Sequence, residues 1–119
     1  MKVLVVEDDN TVRMLICHLL ESAGFELIQA DNGKHAIELA KTDLPSVVVL
    51  DCMMPAMDGI ETVKRMKEIP ELKNIATLML SGRRSSENEE KAFREGVDSY
   101  MTKPFDREEL IEPVRKLAS

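Results

Sequence analysis

The stretch "VVVLDCMMPAMDG", residues 47–59, opens as an unbroken run of β-branched and aliphatic residues and then ends on a carboxylate, Asp51. A strand with water on one face alternates apolar and polar positions. One that is apolar throughout has both faces covered, as in a parallel sheet sandwiched between helices. A methionine- and proline-bearing turn follows and closes on Asp58-Gly59. A buried strand and an acid at its end need one explanation between them.

Working outward, short apolar runs alternate with helix-length amphipathic segments. "KVLVV" precedes Asn10 to Ala23, "ELIQA" precedes Gly33 to Thr42, and "VVVL" precedes Gly59 to Glu68. "ATLML" then precedes Ser85 to Glu95, and "SYMT" precedes Asp106 to Leu117. This fivefold βα alternation predicts an α/β domain. Parallel strands need right-handed crossovers, and helices on both faces make the sheet doubly wound. Val12, Leu15, Ile16, Leu19 and Leu20 recur at helical spacing and predict one core-facing stripe on the first helix, with Gly24 ending it. Asp106 and Glu109 form a capping-box pattern for the last helix, where Leu110, Ile111, Val114 and Leu117 share a face and Pro113 predicts a kink or early loosening. The fourth helix offers only Ala92 and Phe93 to a core, which predicts low local stability and a capacity to move.

At 119 residues the chain fits one domain, residues 1–119. No apolar run approaches the roughly 18 to 20 residues of a membrane span, and the few apolar residues after Met1 are too short for a signal-peptide core. The reading is a cytoplasmic protein with no membrane partner. A net charge of −6 argues against direct nucleic-acid binding, which needs clustered Lys and Arg. Cys17 and Cys52 lack metal-ligand or CxxC spacing and read as small buried hydrophobes, and the eight methionines as core filling. His18 and His35 each stand alone on a helix, with no partner at ligand spacing.

In an open α/β sheet, ligands bind beyond the carboxyl ends of the strands, where the strand order reverses. The first strand runs into Glu7, Asp8 and Asp9, the third into Asp51, the fourth into Ser81-Gly82 and the fifth into Thr102-Lys103-Pro104. Taken singly, Asp9 suits a helix cap, Ser81 a turn and Lys103 a solvated surface. Taken together they predict a site. Two unit charges about 4 Å apart repel by roughly 4 kcal/mol at an effective dielectric of 20, so Glu7, Asp8 and Asp51 can gather only if a cation joins them. Oxygen-only ligands suit Mg²⁺ better than Zn²⁺, and with Lys103 the divalent ion brings the cluster to formal neutrality.

"VLVVEDD", "VVVLDCMMPAMDG", "LMLSG" and "YMTKPF", in that order, resemble the receiver domain of two-component response regulators. Asp51 and Ser81 stand 30 residues apart and Ser81 and Lys103 stand 22 apart, the separations expected of such a domain. The resemblance implies a flavodoxin-like (βα)5 fold with strand order 2-1-3-4-5, like that of the chemotaxis regulators. It makes Asp51 the residue phosphorylated by a histidine kinase, a phosphotransfer protein or a small phosphodonor. Asp8 would bind Mg²⁺ directly, Glu7 through coordinated water, and the backbone carbonyl of Met53 would be a further ligand. Ser81 and Lys103 would hold phosphoryl oxygens, with the bond before Pro104 cis and aiming Lys103. Met53 and Arg83 occupy the positions that tune hydrolysis in the family.

The same resemblance implies a switch. Phosphorylation draws Ser81 inward, Tyr100 rotates into the space behind it, and the surface of the fourth helix, fifth strand and fifth helix changes for a downstream protein. Related regulators that dimerise through this face commonly carry an arginine where Pro113 stands, which leaves both a monomer and a phosphorylation-dependent dimer open. The chain stops at Ser119 after the last helix, as expected of either a stand-alone receiver or one excised from a longer regulator. Such a protein modifies itself and is not a multiple-turnover enzyme. A haloacid-dehalogenase-type phosphatase would want an acid at Met53, and a flavin carrier would want a hydroxyl- and glycine-rich loop where "EDD" stands. An interaction module that only looks like a receiver would have no need of the intact acids, hydroxyl and lysine.

Overall fold

The computed structural model describes residues 1–82 and 86–119. Its strands are β1 (Lys2–Val6), β2 (Glu26–Ala30), β3 (Val47–Asp51), β4 (Ala76–Ser81) and β5 (Ser99–Thr102). The helices between and after them are α1 (Asn10–Glu21), α2 (Gly33–Asp43), α3 (Gly59–Lys67), α4 (Ser86–Arg94) and α5 (Arg107–Ala118). All strand pairings are parallel, in the order β2-β1-β3-β4-β5, so the order reverses between β1 and β3. This is the expected doubly wound sheet.

β3 lies second from neither edge but at the centre, and every one of its residues is buried. Its alternate side chains feed two separate cores. Val48 and Leu50 join Leu4, Val6 and Met79 against α2, α3 and α4, through Ala36, Ala40, Val63, Met66 and Ala92. Val47 and Val49 join Val3, Val5, Leu78 and Leu80 against α1 and α5, through Ile16, Leu20, Leu110, Ile111 and Val114. Burying each such aliphatic side chain contributes about 1.5 to 3 kcal/mol, so the uninterrupted run in β3 is what fixes helices on both sides.

The helices start where short polar side chains stop the strands. Asp9 accepts from the backbone N–H groups of Thr11 and Val12, Asn32 from His35, and Asp58 from Glu61. Asp106 and Glu109 complete the capping box on α5. Each cap satisfies amides that the first turn leaves without partners. The turn between β3 and α3 is tight: Ala56 takes a left-handed φ of 66°, and Gly59 donates its N–H to the carbonyl of Cys52. A Cβ on Gly59 would lie 2.3 Å from the Asp51 carbonyl oxygen, so glycine alone lets α3 begin this close to the end of β3.

Several expectations need correction. Leu15, assigned to the core-facing stripe of α1, is 55 % exposed because that stripe is narrower and runs through Ile16, Cys17 and Leu20, and Met1, Met14 and Met53 lie on the surface and fill no core. The early loosening expected of α5 does not occur: the helix continues through Pro113 to Ala118. Proline removes one backbone bond, but Leu110, Ile111 and Val114 on either side of it are buried against the sheet and hold the helix together. Phe93 is not in the core: it is 44 % exposed, and Ala92 alone anchors α4 among its described residues. Cys17 and Cys52 are buried free thiols, as expected. Among the described residues no helix is long and apolar enough to cross a membrane.

Candidate functional site

Glu7 and Asp8 follow β1, Asp51 ends β3, Ser81 ends β4 and Lys103 follows β5, so parallel pairing carries all of them to one edge of the sheet at the reversal of strand order. A carboxylate oxygen from each of Glu7, Asp8 and Asp51 lies within 4.8 Å of the others. Glu7 is 2 % exposed and Asp51 7 %, whereas Asp8 faces solvent. The Lys103 ammonium donates to Glu7 Oε1 at 2.9 Å and to Asp51 Oδ1 at 3.1 Å. Beside this group opens a cavity of about 520 Å³ lined by Asp51, Met53, Ser81, Gly82, Asn88 and Lys103.

The backbone holds these groups in register. Lys103 N–H donates to the Ser81 carbonyl at 2.7 Å, which ties the start of the β5–α5 loop to the end of β4. The Lys103–Pro104 bond is cis. Cys52 N–H donates to the Leu80 carbonyl at 2.8 Å, so the residue after Asp51 still belongs to the β3–β4 ladder. Asp9 N–H donates to Glu7 Oε2, which turns the Glu7 side chain back across its own loop.

The electrostatics follow from burial against one shared cation. Burial pushes the Asp51 carboxyl above its ordinary value of 3.8; Lys103 opposes this and the Asp8 charge adds to it. Burial likewise raises Glu7 above 4.5, again opposed by Lys103 and reinforced by Asp51. Burial alone would lower the Lys103 ammonium, but its hydrogen bonds to Glu7 and Asp51 prevail and raise it above 10.5. A carboxyl raised on folding binds more protons folded than unfolded, so its contribution to stability falls as pH rises from the ordinary to the raised value. The metal-free protein is therefore expected to lose stability as pH rises above the ordinary carboxylate values of 3.8 and 4.5 through the raised ones, with Lys103 contributing no slope in that range. Urea melts in a chelator at several pH values check this. A stability that rises over the same range, with Asp51→Asn showing the same profile, would contradict it.

The structure brings Glu7, Asp8, Asp51, Ser81 and Lys103 together, with the Met53 side chain 70 % exposed at the rim. Arg83 lies outside the described residues. Tyr100 is half-buried against the α2–α4 core; its ring is 6.4 Å from that of Phe93, and its hydroxyl is buried with no hydrogen-bond partner among the described residues. Two features escaped the sequence reading. Asn88 stands one helical turn before the buried Ala92, which puts it on the inward side of α4 at the cavity. Arg13 reaches back to the loop that carries the acids. The helical spacing of Asn88 and Ala92 was a readable signal; for Arg13 there was none.

A buried carboxylate beside an ammonium and a hydroxyl, with two more acids in reach of a divalent cation, can accept a phosphoryl group. Residues 3–115 match the model of the response regulator receiver domain. The chain is 37 % identical over 116 residues to an uncharacterised 14.6 kDa protein of Leptolyngbya boryana, covering 98 % of this chain and 88 % of that protein. It is 32 % identical over 114 residues to the phosphate regulon transcriptional regulatory protein PhoB of Escherichia coli (strain K12), covering 96 % of this chain but only 50 % of PhoB. Chemotaxis protein CheY4 of Vibrio cholerae superposes with a TM-score of 0.93 at 31 % identity, covering 98 % of this chain and 97 % of CheY4. The chain belongs to the response regulator receiver domain family. It is a receiver of two-component signalling, a switch operated by phosphorylation.

Proposed function

We propose that Asp51 is the phosphoacceptor and that residues 1–119 form one receiver domain that catalyses its own modification. The observation that carries this is the position of the Lys103 ammonium, 2.9 Å from Glu7 and 3.1 Å from Asp51, where the buried acids converge. The donor set suits Mg²⁺: the converging ligand atoms are all carboxylate oxygens, and three acids with one ammonium leave a formal charge that a divalent ion cancels. Glu7, Asp8, Asp51 and the Met53 backbone carbonyl would hold the ion. Bound there, Mg²⁺ supplies neutralisation of charge on the phosphoryl oxygens.

In the transfer, an Asp51 oxygen attacks phosphorus in line. The bond from phosphorus to the donor breaks, an imidazole nitrogen of a kinase or phosphotransfer protein or the carboxylate of acetyl phosphate, and its electron pair leaves with the donor. Lys103 and Ser81 donate hydrogen bonds to the equatorial oxygens, and their fixed positions lower the reorganisation needed at the transition state. Hydrolysis reverses the modification, tuned by Met53 and Arg83; Met53 presents no polar side-chain atom to orient water. The added phosphate draws Ser81 inward and gives the Tyr100 ring a place to turn, altering the α4–β5–α5 face. The exposed Phe93 ring and the shallow cavity lined by Glu89, Tyr100 and Glu109 are what a downstream protein would meet there, as a partner of a monomer or within a phosphorylated dimer. The place of action is the cytoplasm, with no direct nucleic-acid contact.

The test is mass spectrometry of the purified protein incubated with Mg²⁺ and acetyl phosphate. One phosphoryl mass on the peptide containing Asp51 is expected, with none when the ion is chelated. Label on another residue, or continuous release of phosphate from unrelated phosphoesters, would overturn the reading.

A further inference from the structure

β1 ends at Val6, and the next residue, Glu7, still donates its backbone N–H to the Ala30 carbonyl at 3.1 Å, the last rung of the β1–β2 ladder. β2 ends at Ala30 and the chain turns into α2 at Gly33, so strand pairing does not extend to the Glu7 carbonyl. A buried carbonyl without a donor is costly. Arg13, one turn into α1, supplies the donor. Its Nη1 donates to the Glu7 carbonyl at 2.7 Å, its Nε donates to Gln29 Oε1 at 3.1 Å, and its Nη2 donates to Asn10 Oδ1. One planar guanidinium therefore joins the acid loop, the edge strand β2 and the start of α1. The rigid fork of arginine suits this, since three acceptors set its plane and leave it little freedom to turn. The peptide that it holds lies between the two acids, Glu7 and Asp8.

We infer that Arg13 is a positioning residue for the acid loop: by clamping the Glu7 carbonyl it presents the Glu7 and Asp8 carboxylates in the arrangement that binds the cation. This rests on the magnesium-site reading above. Arg13 neither touches the cavity nor has any part in the transfer chemistry, and its effect runs through backbone geometry.

The sign of one measurement separates positioning from charge. Arg13 is a cation near a cation site, so by Coulomb repulsion alone its removal strengthens Mg²⁺ binding. If it acts as a clamp, its removal weakens binding, by about tenfold, the lower end of the loss seen when groups that orient metal ligands are removed. The experiment is titration of the whole chain with MgCl₂ alone, followed by the backbone amide resonances of the acid loop, alongside thermal melts in a chelator. Arg13→Gln is expected to bind about tenfold more weakly, and Arg13→Lys, with one donor but no fork, to recover part of the loss. Gln29→Ala leaves the guanidinium charge in place and is expected to shift binding in the same direction by a smaller factor with an unchanged melting temperature, so it decides the matter if Arg13→Gln melts early. Unchanged or tighter binding in both Arg13→Gln and Gln29→Ala would overturn the inference while leaving the magnesium site intact. A wild-type chain that shows no saturable response to magnesium would overturn the site, and the clamp with it.

Discussion

Asp51→Asn is expected to take up no phosphoryl group from any donor and, at the same time, to make the magnesium-free protein more stable near neutral pH. The first effect follows from chemistry: an amide oxygen cannot form the acyl phosphate, and no other acid shares both the burial of Asp51 and its 3.1 Å contact with Lys103 while ending a strand. The second follows from crowding. Asp51 lies within 4.8 Å of two like charges, and a pair at about that distance repels by roughly 3.5 kcal/mol at an effective dielectric of 20. The neutral amide removes that repulsion and the cost of burying an anion, and it leaves Lys103 paired with Glu7 at 2.9 Å. Set against the weakened Lys103 contact, the net gain is on the order of 1 kcal/mol, or ~4 °C in melting temperature. Melts in a chelator, with and without added magnesium, read both halves. Wild type should gain stability from the ion and the variant much less. A variant that is less stable than wild type without the ion would contradict the electrostatic account of the pocket.

Lys103→Ala is expected to leave Asp51 available but to slow its phosphorylation by acetyl phosphate by about 10²- to 10³-fold, the usual effect of deleting one preorganised donor to a developing anion. It should also destabilise the metal-free protein by about 2 kcal/mol. Glu7 is almost wholly buried and would lose its counterion; because Lys103 itself is a quarter exposed, the loss stays below the range for a fully buried pair. Magnesium binding, in contrast, should tighten, since a competing cation has left the site. Slower transfer with tighter metal binding is the signature of a group that acts on the phosphoryl oxygens. If transfer and metal affinity fell together, Lys103 would be holding the acids in place instead. That pattern is the opposite of the one expected for Arg13, whose loss should weaken the metal site although it too is a cation.

Much of this was legible in the chain itself. The five runs and five helices, the ends at Gly24 and the caps at Asp9 and Asp106 stand where periodicity and capping chemistry put them. Each depends on neighbours within a few residues: alternation reads out which faces are covered, and a side-chain oxygen either reaches the first-turn amides or does not. α5 departs from that local logic, because burial of Leu110, Ile111 and Val114 carries the helix through Pro113. α4 departs in the other direction. Its few apolar residues leave its orientation to whatever it packs on, so Ala92 and Asn88 face inward and Phe93 turns out against Tyr100.

The amino-acid sequence by itself determined the fold class and which chemical groups stand at the strand ends, because the central apolar run of β3 admits only a sheet covered on both faces and the acids, hydroxyl and lysine close their strands. Tertiary structure alone decided the pairings. Lys103 meets a glutamate 96 residues away, and Arg13 meets a carbonyl that the sheet leaves without a strand partner. Such contacts depend on strand order and register, which set the distance between chain ends through space, and no local pattern in the residues records that distance.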